Sequence, residues 1–277
     1  MTPAALIAQI SDLHIKRPGE LAYGKVDTAV ALRRCVTELN RLDPRPQLVV
    51  ISGDVADTPN AEEYEHVKAL LAPLEIPFVA VPGNHDSREL LRAAFPDGCT
   101  QRSAPLNSVH AIGSLDVMML DSSVPGRPHG KLDNDTLRWL DAILAQSTTR
   151  PALLFLHHPP FVTGIRHMDV QNLHNAAALG EIVRRYPRVR LIGAGHVHRA
   201  TLTQFAGIPA TICPAPSHAV ALDLNEHLPP SFKVEPPAFH LHGWFVGDDF
   251  GHVATHHVPI GDFPGPYPFF GPDGCLL

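Results

Sequence analysis

The chain has 277 residues, 44 % apolar and 18 % charged, which is enough for one large core or for one domain with a small appendage. Its net charge of −6 argues against duplex nucleic acid as the main partner, because backbone phosphates are bound by clustered Lys and Arg. No apolar run approaches the roughly 20 residues that span a membrane, and residues 1–8 lack the basic start and the length of a secretory signal.

Taken in order, residues 6–10 read as a buried strand that stops at Ser11-Asp12-Leu13-His14. A Gly/Pro loop follows, and Asp27 or Thr28 caps a helix over 29–42 with apolar residues at helical spacing. Residues 47–52 form a second buried strand, which ends in Gly53-Asp54. Asn60 caps a helix reaching about residue 74, with Glu62 and Glu63 in its first turn, where the dipole favours acids. A third strand, 76–81, breaks at Pro82-Gly83 into Asn84-His85-Asp86, and Ser87 caps a short helix over 89–95. Antiparallel strands at 108–112 and 115–120 turn at Gly113-Ser114, and a helix runs from 135 to 144. Residues 151–156 are a strand stopping at His157-His158, 175–186 a helix, and 189–192 a strand stopping at Gly195-His196-Val197-His198. Residues 201–205 and 210–213 form a hairpin-like pair.

This alternation predicts an α/β core over residues 1–214. From 215 to 277 the chain turns rich in Pro, His and Phe and loses helical periodicity. That stretch is expected to be a strand-and-loop extension, either a lid over the site or an interface between subunits of a homo-oligomer. Cys35, Cys99, Cys213 and Cys275 include no Cys-x-x-Cys, so reduced thiols in a cytoplasmic protein are expected, not a thiolate zinc site.

Five strand ends therefore carry ligand-type residues: Asp12 and His14; Asp54; Asn84 with His85; His157; His196 and His198. Asp-x-His and His-x-His place two side chains on one side of an extended segment. Carboxylate, imidazole and amide oxygen without thiolate suit Mn, Fe, Co or Zn. Seven candidate ligands, not counting His85, exceed one ion and fit two ions about 3.5–4 Å apart that share a carboxylate.

These blocks, Asp12-Leu-His14, Gly53-Asp54, Gly83-Asn-His-Asp86, His157-His158 and Gly195-His-Val-His198, resemble the five signatures of the calcineurin-like metallophosphoesterases, across about residues 6–200. Leu120-Asp-Ser-Ser123, His157-His-Pro-Pro160 and the loop around Gly19-Glu20 and Tyr23-Gly24 are similar to the class III cyclic nucleotide phosphodiesterases and their bacterial glycerophosphodiesterase branch. The resemblance implies a four-layer α-β-β-α sandwich with two divalent or trivalent metal ions between the sheets. It places Asp12, His14 and His198 on the first ion, Asn84, His157 and His196 on the second, and Asp54 between them. His85 is then the residue that contacts the phosphate or protonates the leaving group, and His218 a substrate contact from the tail. The implied activity is hydrolysis of small phosphodiesters by a hydroxide shared between the metals, with 3′,5′-cyclic nucleotides first and glycerophosphodiesters as the alternative. Gly53-Asp54-Val-Ala-Asp57 lacks the Asp-Arg-Gly of the related protein phosphatases, which weakens a phosphomonoesterase reading. A non-catalytic scaffold is likewise a weaker reading, since every ligand position is filled.

Overall fold

The structure, a computed structural model, describes residues 2–96, 105–147, 149–225, 227–247, 251–272 and 275–276. Cys99 lies outside them, and Cys35 and Cys213 are buried and form no disulfide.

The first half alternates strand and helix: β1 (Ala5–Ile10), α1 (Thr28–Arg41), β2 (Leu48–Ile51), α2 (Ala61–Leu71), β3 (Phe78–Ala80) and α3 (Arg88–Ala94). The second half runs β4 (Ser108–Ile112), β5 (Leu115–Leu120), α4 (Asn134–Ala145), β6 (Ala152–Leu156), α5 (Arg166–Asp169), α6 (Ala176–Arg185) and β7 (Val189–Ala194). A hairpin of β8 (Thr201–Phe205) and β9 (Ile208–Ile212) follows. Short strands β10 (Ala219–Val220) and β11 (Phe232–Lys233) come next, then the long β12 (Ala238–Phe245) and β13 (His252–Pro259).

Helices start where the sequence offers an oxygen to their free N–H groups. Asp27 accepts from Val30 N at 2.8 Å, Asn60 from Glu62 N at 2.9 Å, and Asp133 from Thr136 N at 2.7 Å; each such cap is worth about 1 kcal/mol. α2 stops at Leu71, short of the expected residue 74, because Pro73 has no N–H to continue the ladder.

The strands assemble into a five-stranded sheet, β13-β12-β1-β2-β3, and a six-stranded sheet, β4-β5-β6-β7-β9-β8. Strand alternation explains why both faces are apolar. On β1, Ala8 and Ile10 pack outward against Leu32, Val36 and Leu39 of α1. Ala5 and Ile7 point the other way, to Val117, Met119 and Phe155 of the second sheet. Beyond that sheet, Met118 and Leu154 pack on Leu140, Leu179 and Val183 of α4 and α6. A strand buried on both faces reads as an unbroken apolar run, which is what made β2 and β6 legible. The four α-β-β-α layers follow, with parallel pairs β1–β2–β3 and β5–β6–β7 delivering strand ends to one rim.

Within the stretch expected as a C-terminal extension, β12 pairs antiparallel with β1, and β13 edges it. Residues 238–259 thus complete the first sheet, while β10–β11 lie apart as a two-stranded ribbon. Among the described residues no helix is long and apolar enough to cross a membrane.

Candidate metal centre

The rim is built by backbone bends that most residues avoid. Asp12, His14, Asp54, His196 and His198 all hold positive φ, between 45° and 73°. Each such residue costs roughly 1–3 kcal/mol, a strain that persists only where surrounding structure enforces it. The side chains of Asp12/His14 and His196/His198 converge through these left-handed bends, and not through the extended geometry that their spacing invites. Two glycines are required by close approach. A Cβ on Gly83 would overlap the Asp54 carboxylate, and one on Gly195 would overlap Ser11 Oγ and sit 2.9 Å from Asp12 Oδ2.

Asp54 stands between the two halves. Its Oδ2 lies 3.4 Å from His14 Nε2, off the first sheet, and 3.3 Å from His157 Nε2, off the second. His198 Nε2 is 3.2 Å from His14 Nε2 and 3.4 Å from Asp12 Oδ1. His157 Nε2 is 3.1 Å from Asn84 Oδ1. Of the His157-His158 pair, only His157 turns to Asp54; His158 instead meets Ser122 Oγ at 2.8 Å and Pro128 O at 3.2 Å.

Charge is distributed to match. Burial raises the Asp12 carboxyl to about 6 despite His157 beside it. Burial opposes the Asp54 charge too, but His157, His85 and His14 outweigh it and hold Asp54 well below the usual range. His157 is pushed up to about 9, because Asp54 and Asp12 outweigh the cost of its burial. Burial drives His196 down to about 3 and His198 far below its ordinary value, helped by neighbouring histidines. Those two rings are therefore neutral and free to offer a lone pair.

The donors fit cations. Asp12, His14, Asp54 and His198 form one cluster and His157, His158 and His196 another, each with ligand atoms within 4.8 Å of one another. His196 Nε2 and His198 Nδ1 are buried without a hydrogen-bond partner, a costly state for a polar atom. Two facing imidazole nitrogens at 3.2 Å, as in His14 and His198, likewise call for a shared cation. Clustered His and Asp of this kind make a dinuclear divalent centre, and no thiolate selects a softer ion.

Around the centre, partners fix each group. Asp57 accepts from His14 Nδ1 at 3.0 Å and from Lys16 Nζ at 2.8 Å; sequence reasoning missed it, although its place three residues after Asp54 was visible. His157 Nδ1 donates to Ser52 O at 2.9 Å. Asp86, expected to orient His85 or a ligand, accepts from Gly83 N, Val55 N, Ala56 N and Tyr64 Oη at 2.8–3.1 Å. It thereby ties the Asp54 turn to the Asn84 turn and leaves His85 to Asp57, whose backbone O lies 2.8 Å from His85 Nδ1. His85 N also donates to Asp54 Oδ1 at 2.9 Å. The centre floors a cavity of about 440 Å³ lined also by His85, His218, Tyr23, Gln171 and Phe232. His218 packs edge-on against His198 and Tyr23, with ring centres 4.6 and 5.3 Å apart.

A dinuclear His/Asp centre at the rim of an α-β-β-α sandwich defines a metallophosphoesterase. Residues 5–200 match the family model of the calcineurin-like phosphoesterases, and the chain belongs to that family. It is 39 % identical to a probable glycerophosphodiester phosphodiesterase of Arcobacter nitrofigilis over 98 % of this chain and 99 % of that one. It is 36 % identical to a cAMP/cGMP dual specificity phosphodiesterase of Mycobacterium tuberculosis over 77 % of this chain and 68 % of that one. A dimetal phosphatase from Danio rerio shares the fold, with a TM-score of 0.67 at 16 % identity, over 94 % of this chain and all of that one. The protein is thus a dinuclear metal phosphodiesterase.

Proposed function

We propose that the protein hydrolyses glycerophosphodiesters. The observation that carries this is the extent of the likeness: the probable glycerophosphodiester phosphodiesterase of A. nitrofigilis matches over 98 % of this chain, tail included. The tail also reaches the site, since Ser231 and Phe232 wall the cavity above the metals. Cyclic nucleotides are the second reading, favoured by the dual specificity relative, whose match stops at 77 % of the chain.

In this reading Asp12, His14 and His198 would hold one ion and Asn84, His157 and His196 the other, with Asp54 available to both. Two bound cations supply Lewis acidity and an acidified water at neutral pH. The chain's own residues do the rest. Asp57 accepts a hydrogen bond from His14 Nδ1–H and so keeps Nε2 free to ligate. Ser52 O does the same for His157. His85 donates a hydrogen bond from Nδ1 to Asp57 O, which leaves Nε2 as the nitrogen for the cavity. From there it binds the phosphate or hands a proton to the departing alkoxide. His218, braced by Ser217 Oγ at 2.9 Å, contacts the substrate from the opposite wall.

The exposed aromatics Phe263, Tyr267, Phe269 and Phe270 support a homo-oligomer through the C-terminal segment, which light scattering would test. Buried Cys35 and Cys213, neither in a disulfide, fit a cytoplasmic setting. The substrate is tested by assaying metal-loaded protein on bis(p-nitrophenyl) phosphate, glycerophosphocholine and cyclic AMP, with and without chelator. Chelator-sensitive turnover with glycerophosphocholine ahead supports the proposal; cyclic AMP ahead moves the protein to the second reading.

A further inference from the structure

The space between the sheets is largely apolar, and three of the polar side chains buried there form a line. Along β1 the residues facing the second sheet run Ala5, Ile7, then Gln9; along β2 and just past it they run Leu48, Val50, then Ser52. On β12, Trp244 belongs to the apolar set, and His242 follows on the same face. Gln9, Ser52 and His242 have no exposed surface. Burying them costs free energy unless every group is paired, and a half-satisfied network is worse than an apolar core.

They are paired end to end. Thr255 Oγ1, on β13, lies 2.9 Å from His242 Nδ1. His242 Nε2 lies 3.1 Å from Gln9 Oε1. The Gln9 amide nitrogen then donates twice, to Ser52 Oγ at 2.8 Å and to Ala194 O at 3.1 Å. Because both amide hydrogens go to acceptors, Oε1 must face His242, and His242 must carry its proton on Nε2. Thr255 then donates to Nδ1, and the chain has one consistent direction.

The two ends of this chain matter most. Ser52 is the residue whose carbonyl accepts the proton of His157. Ala194 is the last residue of β7, two before His196. Gln9 thus bolts the end of β2 on one sheet to the end of β7 on the other, where the two halves of the centre must meet. Gly193 leaves the room for it, since a Cβ there would stand 2.8 Å from Gln9 Oε1.

We infer that Gln9 and His242 are positioning residues of the metal centre, setting the separation of its two halves across the sheets and the orientation of His157. The inference rests on the dinuclear reading given above. It also assigns a role to β12: the tail strand reaches the site through the core.

The test compares wild type with Gln9→Leu, His242→Leu and His242→Gln, each loaded with Co²⁺. His242→Gln keeps a side-chain N–H at the reach of Nε2. Three readouts are taken: the visible Co²⁺ spectrum, metal affinity by chelator competition, and the urea midpoint. Gln9→Leu and His242→Leu should shift the Co²⁺ bands and weaken metal binding by about 10–100-fold, the cost typical of losing a partner outside the ligand shell. His242→Gln should restore most of both. Variants that fold with wild-type spectrum and affinity, and differ only in urea midpoint, overturn the inference. If Gln9→Leu does not fold, the His242→Leu and His242→Gln pair carries the same decision. Wild type that binds fewer than two ions overturns the dinuclear reading itself, whereas two ions bound equally well by all variants overturns only the positioning role.

Discussion

The two halves of the centre solve different problems. The first-sheet half brings the charge: Asp12, Asp54 and Asp57 lie there, with Asp54 and Asp57 held ionised by the imidazoles and the lysine around them. The second-sheet half brings only imidazoles, and His196 and His198 are kept neutral by burial. Metal affinity needs both, since a cation must be attracted by charge and then meet free lone pairs. The split does not leave the loops independent, since Ser52 O of the first sheet holds His157 of the second and Asp12 accepts from His196 N. It makes assembly depend on how the sheets are spaced.

The sharpest way to break the symmetry of that arrangement is Asp54→Ala, because one oxygen of Asp54 lies within 3.4 Å of both His14 and His157. At least one ion should be lost on metal analysis. Turnover should fall by more than the roughly 10²-fold that follows loss of a partner outside the ligand shell. Two ions retained at near-normal rate would remove Asp54 from its bridging place. Next comes His85→Ala, which leaves every metal contact standing. Metal content should be unchanged and turnover reduced by roughly 10²–10⁴-fold, the range of a proton-transfer group. An unaltered rate would exclude His85 from the chemistry.

Much of this was readable before any coordinates. Asp12, His14, Asp54, Asn84, His157, His196 and His198 stand at strand ends that were obvious because their strands are buried on both faces. What stayed hidden depends on pairing between distant elements. Asp57 and Ser52 lie near ligands in sequence, yet their roles appear only once His14 and His157 are placed. β12 escaped because two of its inward positions are His240 and His242, so the period-two signal of a buried strand is masked by polar letters. The left-handed bends at five site residues carried only a weak sequence signal: Asp and His adopt positive φ more often than most side chains, yet only a small share of them do.

Gly195→Ala tests the packing that lets the halves close. The new Cβ would meet Ser11 Oγ and crowd Asp12, so the β7 and β1 ends must separate. Overpacking of this kind costs about 1–3 kcal/mol, which a urea titration would register as a lower midpoint. The same separation should weaken metal binding, whereas Gly207→Ala, strained by its positive φ but with no neighbour for the new Cβ to meet, should lower the midpoint and leave metal binding as it is.

The smallest expected effect concerns Asp57, and its pH dependence identifies its cause. Burial works against the Asp57 charge, but the hydrogen bonds from His14 and Lys16 outweigh it and leave the carboxyl well below its ordinary 3.8. A carboxyl lowered on folding stabilises the native state fully above its unfolded value and loses that contribution as pH falls through its native one. Asp57→Asn should therefore lower the urea midpoint at neutral pH, by about 1–3 kcal/mol for hydrogen bonds to a charged group. The gap should hold down to about pH 4 and narrow below it, as the wild-type carboxyl takes up its proton and the two chains become alike. Chelator in both samples keeps metal release out of the comparison. A gap independent of pH would mean that Asp57 acts through shape, and the acidic half of the centre would then rest on Asp12 and Asp54 alone.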